Sequence, residues 1–282
     1  LIGDLTRRGD LDVVDDSYDV VFHLAARGHV AGIGQEAYRS AFEINVGGTE
    51  NLLDALSARR IDRFVHVSST AAVGLIPDRP VNEEDLPNPA TPYQHSKLRS
   101  EEVVREKTAG STIQSVIVRP CMIYGPGGEG EFLKIVRLMA MGVFPRVGLG
   151  RALTPLVHVR DVADGIVAAG VDGKPGSTYF LAGSQSYPME HLRRVVLSSL
   201  GLWRPAIYVP VWAGWLAGMA LELAGRAAGK LPIATRRNIL STAANRTFDI
   251  GRARRDFGYE PRVEPEEGIP ETIDWFKERG LL

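Results

Sequence analysis

The segment "YQHSK" places Tyr93 and Lys97 four residues apart. On a helix that spacing puts both side chains on one face. A phenol titrates near about 10, too high for a base at neutral pH. A neighbouring ammonium favours the phenolate and lowers that value. Tyr93 can then take a proton from a substrate hydroxyl as hydride leaves the carbon, or protonate a carbonyl in the reverse direction. Spacing alone is weak, because a tyrosine and a lysine four apart arise by chance on many exposed helices. Upstream, "VSST" supplies Ser69, with Thr70 as the alternative, and either hydroxyl can hydrogen-bond the same substrate oxygen. The plain reading of those hydroxyls is that they satisfy a strand end. The conjunction of strand-end hydroxyl, tyrosine and lysine carries the expectation.

The elements that must position these groups alternate. "YDVVFHLAA" (18–26) reads as a buried strand, "EINVGGTENLLDALSARR" (43–60) as a helix by its apolar spacing, and "DRFVHVSST" (62–70) as the next strand. The helix bearing Tyr93 starts on Thr91 as N-cap with Pro92 in its first position. "QSVIVRP" (114–120) is a further strand. Strands separated by helices predict a parallel sheet covered on both faces. Beyond "YGPGGEGE" come helices near 132–141 and 159–170, then short strands ("STYFLAG", "RPAIYVP") mixed with helices. The expected architecture is an α/β, Rossmann-like doubly wound parallel sheet over 1–175, with a smaller α+β lobe over 176–282, the two interleaved.

The 282 residues suffice for one large or two modest domains. A net charge of -1 argues against a nucleic-acid protein, because phosphate binding needs a concentrated basic face. Cys121 is the single cysteine, which excludes an intrachain disulfide and multi-cysteine zinc patterns and fits a reducing, cytoplasmic setting. Pro205 to Leu221 holds no charged residue and is near the lower limit of a membrane span. Pro205 and Pro210 break its first half, so a buried or interfacial amphipathic helix is expected there and a span is not.

Eight blocks in order now resemble one family: Gly3-Asp4-Leu5, "FHLAA", "NVGGTENLLDA", "VHVSSTAAVG", "YQHSK", "VRPCMIYGPG", "PLVHVRDVADGI" and "FGYEPR". Together they are similar to the extended short-chain dehydrogenase/reductase family, over nearly the whole chain. The resemblance implies NAD or NADP as cofactor, Ser69 as catalytic hydroxyl, and Tyr93 and Lys97 as the proton-transfer pair that also touches the cofactor. It implies that Asp4 contacts the adenine, with Leu5 beside it, and that Leu24, Ala25 and Ala26 run along the cofactor. Asn45 lies near the same site, and Pro120 and Cys121 pack against the nicotinamide, although Cys121 reads better as a small buried filler. His158 reads as a packed strand histidine.

The family's glycine-rich turn has no counterpart here. Gly32-Ile33-Gly34 lacks the spacing, and "LIGDLTRRGDL" resembles the third strand of such a fold. Two βα units, on the order of 60 residues, are expected outside this sequence, and weak cofactor binding by this chain alone follows. The choice between NAD and NADP rests on residues beyond it.

Two subgroups compete. Sugar-nucleotide epimerases and dehydratases resemble this chain, but their pyrophosphate-gripping arginine falls at Thr154, with Arg151 three residues earlier. A second family arginine precedes a "GD"; here Arg246 lacks that dipeptide. Trp212, Trp215, Leu216, Met219 and Leu223 could instead line an apolar cavity, as in hydroxysteroid dehydrogenases and dihydroflavonol reductases. That apolar alcohol–ketone reading is preferred, with the sugar-nucleotide reading and a non-catalytic binding protein of the same fold as alternatives. The expected partners are a small-molecule substrate and a second copy, paired through the helices bearing "YQHSK" and "NVGGTENLLDA".

Overall fold

The computed structural model describes residues 3–12, 17–28, 35–76, 79–148, 150–228, 236 and 243–282. Its centre is four parallel strands: β1 (Ser17–His23), β2 (Arg60–Val67), β4 (Gln114–Pro120) and β8 (Thr178–Leu181), in the order β1-β2-β4-β8. A two-residue β3 (Pro80–Val81) lies between β2 and β4 in the chain. His23 pairs with His66, Val67 with Val118, and Pro120 with Leu181, so the carboxyl ends of the strands lie level.

Side-chain alternation sorts the strands into two faces. On one, Phe64 and Ile117 meet Leu53 and Leu56 of α2 (Gly48–Ser57) and Val103 and Val104 of α3 (Pro92–Thr108). On the other, Val65, Val116 and Val118 meet Val162, Ile166 and Ala169 of α5 (Val159–Asp172). Burying both faces accounts for the unbroken apolar run of β4. The helix expected to begin at Glu43 starts earlier: α1 (Gln35–Phe42) runs through a π-helical turn (Glu43–Gly47) into α2.

Tyr18 and Phe22 of β1 are exposed, and among the described residues no strand pairs with its outer edge. The opening segment, expected to resemble a strand, instead forms a turn and a short 3-10 turn at Arg8–Leu11. Gly32-Ile33-Gly34 lies outside the described residues.

A second core joins Tyr124 of β5 (Met122–Tyr124), Phe132, Leu133 and Val136 of α4 (Glu131–Ala140), and Leu156 of β7 (Leu153–His158) to later residues. These are Leu192 and Val196 of α6 (Met189–Ser199) and Ile269, Ile273 and Phe276 of α9 (Pro265–Glu278). Residues on both sides of 175 therefore share this core. β9 (Ser186–Pro188) completes a small sheet in the order β5-β7-β9. β6 (Pro145–Val147) pairs with β10 (Ile207–Val209), and β11 (Thr247–Phe248) pairs with β3, ahead of α8 (Gly251–Phe257).

The charge-free stretch supplies β10 and, directly after Pro210, the first part of α7 (Val211–Ala227). Among the described residues no helix is long and apolar enough to cross a membrane.

Candidate active site

β2 ends at Val67, and the chain then turns through Ser68 and Ser69 into a 3-10 turn at Thr70–Val73. Ser69 is extended and caps that turn, its Oγ accepting from Ala71 N at 3.1 Å. Across from it, α3 begins as expected: Thr91 Oγ1 accepts from Gln94 N at 3.2 Å, and Pro92 occupies the first position. This start delivers Tyr93 to Ser69, and the two side chains are hydrogen-bonded. The hydroxyl that meets the phenol is therefore Ser69's.

Lys97 lies one turn further on and is only 3% exposed, its Nζ donating to the Val67 carbonyl at 3.0 Å. Burial pulls its ammonium down to about 8, against the opposing pull of Glu101. Tyr93 moves contrary to the expectation of a lowered phenol. Burial raises it, and the Ser69 hydrogen bond only partly offsets that rise. The phenolate's desolvation outweighs its local support in this arrangement.

Asn45, on the π-helical turn, is buried. Its Oδ1 accepts from Arg27 N at 2.7 Å, and its Nδ2 donates to Arg27 O at 3.1 Å and to Ser96 Oγ at 2.9 Å. Ser96 Oγ in turn donates to the Tyr93 carbonyl at 2.9 Å. One amide thus ties the exit of β1 to the helix carrying the tyrosine, and π turns recur at functional sites. Leu24, at 58% exposure, Ala25 and Ala26 form that exit and lie open.

Small exposed residues beside Tyr93's helix, at the level carboxyl ends of β1, β2 and β4, fit the approach of a planar ring to the backbone. Pro120 and Cys121 close the end of β4; both are buried, and Cys121 N donates to Leu181 O at 3.0 Å. Burial pushes the Cys121 thiol up to about 12, as befits a packed filler.

Leu5 is placed against α2. Asp4 is exposed, and its Oδ1 accepts from Thr6 N at 2.9 Å and Thr6 Oγ1 at 2.8 Å, which holds the carboxyl below its usual range. The Leu5 carbonyl accepts from Asn51 Nδ2 at 2.9 Å. His158 ends β7 and is fully buried, its Nδ1 accepting from Arg160 N at 3.3 Å to cap α5.

Thr154 is buried within β7, opposite Tyr187 of β9, while Arg151 is exposed. Burial lowers the Arg246 guanidinium, with Cys121 opposing, and its Nε has no hydrogen-bond partner. Among the described residues no three His, Cys, Asp or Glu side chains are placed to hold a metal ion. Val211, Trp212, Trp215 and Leu216, all on α7, form an open and largely exposed apolar face.

Several residues beneath the site escaped the sequence reading. Glu101 accepts from Ser68 Oγ at 2.6 Å and from both Nε and Nη2 of Arg119, at 2.8 and 2.7 Å. His66 Nε2 meets Ser100 Oγ at 2.9 Å, and His23 Nε2 meets Thr49 Oγ1 at 2.8 Å. The available signal was the spacing of Lys97 and Glu101, four apart on one helical face.

Residues 1–182 match the family model described as "NAD dependent epimerase/dehydratase family". Short-chain dehydrogenase/reductase family 42E member 1 of Bos taurus is 27% identical, over 99% of this chain and 77% of that protein. The 3beta-hydroxysteroid-dehydrogenase/decarboxylase isoform 1 of Arabidopsis thaliana is 28% identical, over 92% of this chain and 62% of that protein. The chain likewise spans 63% of the y4nG protein of Sinorhizobium fredii, which is 29% identical over 92% of this chain. Among solved structures, a double mutant of DesIV (dTDP-glucose 4,6-dehydratase) from Streptomyces venezuelae with NAD and DAU bound is 27% identical. It superposes with a TM-score of 0.77 over 99% of this chain and 79% of its own.

Proposed function

The chain belongs to the NAD dependent epimerase/dehydratase family, and on that footing we propose that it is an NAD(P)-dependent oxidoreductase interconverting an alcohol and a ketone on a hydroxysteroid- or flavonoid-like apolar substrate. One observation carries the reaction type: Tyr93 is hydrogen-bonded to Ser69, with Lys97 buried one turn away on the Val67 carbonyl.

A substrate hydroxyl seated on the Ser69–Tyr93 hydrogen bond gives its proton to Tyr93 Oη, and Ser69 holds the same oxygen. With its value near 8, Lys97 is mostly an ammonium at neutral pH and favours the phenolate that burial disfavours. A bound nicotinamide would supply the hydride acceptor or donor. Leu24, Ala25, Ala26, Asn45, Pro120 and Cys121 would hold it from the strand ends, with Asp4 and Leu5 toward the adenine. In the reverse direction the Tyr93 phenol protonates the carbonyl.

The apolar substrate class is supported by the exposed apolar face of α7 at Val211, Trp212, Trp215 and Leu216. It is also supported by Thr154, a buried strand residue where an arginine would grip a pyrophosphate. Arg246, cationic and with an unpartnered Nε beside Cys121, favours the second reading, a sugar-nucleotide epimerase or dehydratase. A substrate screen on a chain carrying the glycine-rich turn separates the two. Oxidation of a 3β-hydroxysterol or flavonoid alcohol with net cofactor reduction is expected. Conversion of a UDP-sugar with no net change in cofactor overturns the proposal in favour of the second reading.

A further inference from the structure

Beneath the proton-transfer pair, three elements converge on one carboxylate. Glu101 is fully buried, one turn beyond Lys97 on α3. Besides the Ser68 hydroxyl and the fork of Arg119, it accepts from Arg105 Nη2 at 3.2 Å. Arg119 belongs to β4 and is itself buried; its Nη1 has no hydrogen-bond partner, and its guanidinium lies over the Phe180 ring, 5.7 Å from the centroid.

Ser68 stands between two residues of the site. Before it, the Val67 carbonyl receives Lys97 Nζ at 3.0 Å. After it, Ser69 hydrogen-bonds Tyr93. Its backbone N–H is bound to Val118 O at 2.8 Å, next to Arg119.

A buried ion pair is a poor source of stability, because two desolvation penalties offset the attraction and an apolar pair of similar volume does as well. What apolar residues would not give is direction. The carboxylate orients the Ser68 hydroxyl, the guanidinium and the helix bearing Lys97 about one point, and the strand end can then shift only by breaking short charge-assisted hydrogen bonds.

We propose that Glu101, braced by Arg119, is a positioning residue: through Ser68 it sets the strand end that presents Ser69 to Tyr93 and the Val67 carbonyl to Lys97, with its carboxylate one helical turn from Lys97. The proposal rests on the reading of Tyr93 and Lys97 as the proton-transfer pair. The other groups facing Lys97 do not supply a negative charge. His66 on β2 and His23 on β1 are both held below the ordinary histidine range by burial, and a protonated histidine there would disfavour the ammonium.

The test reads the titration of Lys97 directly, by NMR of lysine side chains, with Tyr93 followed by its phenolate absorbance. In the wild-type protein Lys97 is expected to titrate near 8. In Glu101→Gln, which keeps an acceptor for Ser68 but loses the charge, the Lys97 midpoint moves to lower pH. Ser68→Ala removes no charge and leaves the Glu101–Arg119 pair intact, so any change in the Tyr93 titration at an unchanged melting temperature arises from position. Glu101→Asp retains the charge with a shorter reach. It is expected to keep the Lys97 midpoint close to wild type while reproducing the Ser68→Ala change at Tyr93.

Wild-type titrations of both groups in folded Glu101→Gln and Ser68→Ala overturn the proposal. Should Glu101→Gln fail to fold, Ser68→Ala alone decides it. Turnover of a 3β-hydroxysterol by Tyr93→Phe at the wild-type rate, with the titration shifts still present, would instead sink the proton-transfer reading and leave the positioning of Lys97 standing.

Discussion

Replacing Lys97 by methionine should remove activity and, at neutral pH, make the protein more stable. Burial takes Lys97 from an ordinary value of 10.5 to about 8. Each pH unit between the folded and unfolded values corresponds to about 1.4 kcal/mol, so at pH 7 the buried ammonium costs the fold roughly 3 kcal/mol. Methionine fills the same space without charge but strips the Val67 carbonyl of its donor, a loss of about 1–2 kcal/mol. The net gain at pH 7 is then roughly 1–2 kcal/mol.

The sign reverses with pH. Below about 8 the folded lysine is charged and the cost is full. Between about 8 and 10.5 the folded lysine is neutral while the unfolded one still holds its proton. The unfolded state then binds more protons, and wild-type stability rises with pH. By pH 10 the advantage of Lys97→Met should have vanished or become a small deficit. Urea unfolding of both proteins at pH 7 and pH 10, followed by tryptophan fluorescence, measures this difference, and groups common to both cancel. A Lys97→Met protein less stable than wild type at pH 7, or a difference identical at the two pH values, would refute the reasoning.

Tyr93→Phe should lower kcat by roughly 10²–10⁴, with near-UV circular dichroism unchanged because the ring stays packed; undiminished turnover in steady-state assays argues against a proton-transfer role. Ser69→Ala should cost less, since Tyr93 remains, and the same assays check it. Cys121 is buried with its thiol raised to about 12, so iodoacetamide at pH 8 should label it only once denaturant is added; rapid labelling of the folded protein, read by mass spectrometry, contradicts that placement. Gly74 closes the turn after Ser69 at φ 82°, and a Cβ there would run into the Asn88 carbonyl. Gly74→Ala should therefore destabilise by at least about 2 kcal/mol in urea unfolding, and a change below about 0.5 kcal/mol would show that this turn gives way easily.

The parts of the site readable from sequence are those set by local periodicity. Tyr93 and Lys97 share a face because a helix repeats every 3.6 residues, and Thr91 with Pro92 marks where that helix begins. The parallel sheet was readable from apolar runs alternating with helices, as in Gln114–Pro120. What escaped depends on distance through space. Glu101 and Arg119 lie 18 residues apart, on a helix and a strand, and no pattern in either segment announces their meeting. Asn45's two-sided grip depends on a π turn that interrupts an otherwise ordinary helical pattern. The direction of the Tyr93 shift also escaped, because a motif shows which charges are near but not how much water has been removed.

That last discrepancy bears on how the site works. A phenol raised by burial is a poor base by itself. It becomes one only when positive charge is held close at a fixed place, which depends on the placement of Lys97 more than on its presence. Lys97 is held on the Val67 carbonyl, and further hydrogen-bonded ties surround it: Ser68 to Glu101, Glu101 to Arg119, and Asn45 across to Ser96. The first three join the end of β2 or β4 to α3, and the last joins the π-helical turn to α3. On the apolar side, Trp212 is 69% exposed and forms an open apolar face with its neighbours on α7, a surface far less constrained. On the proposed reading, proton transfer is set by the sheet end that carries Ser69 and the helix that carries Tyr93 and Lys97, and substrate choice by the apolar face of α7.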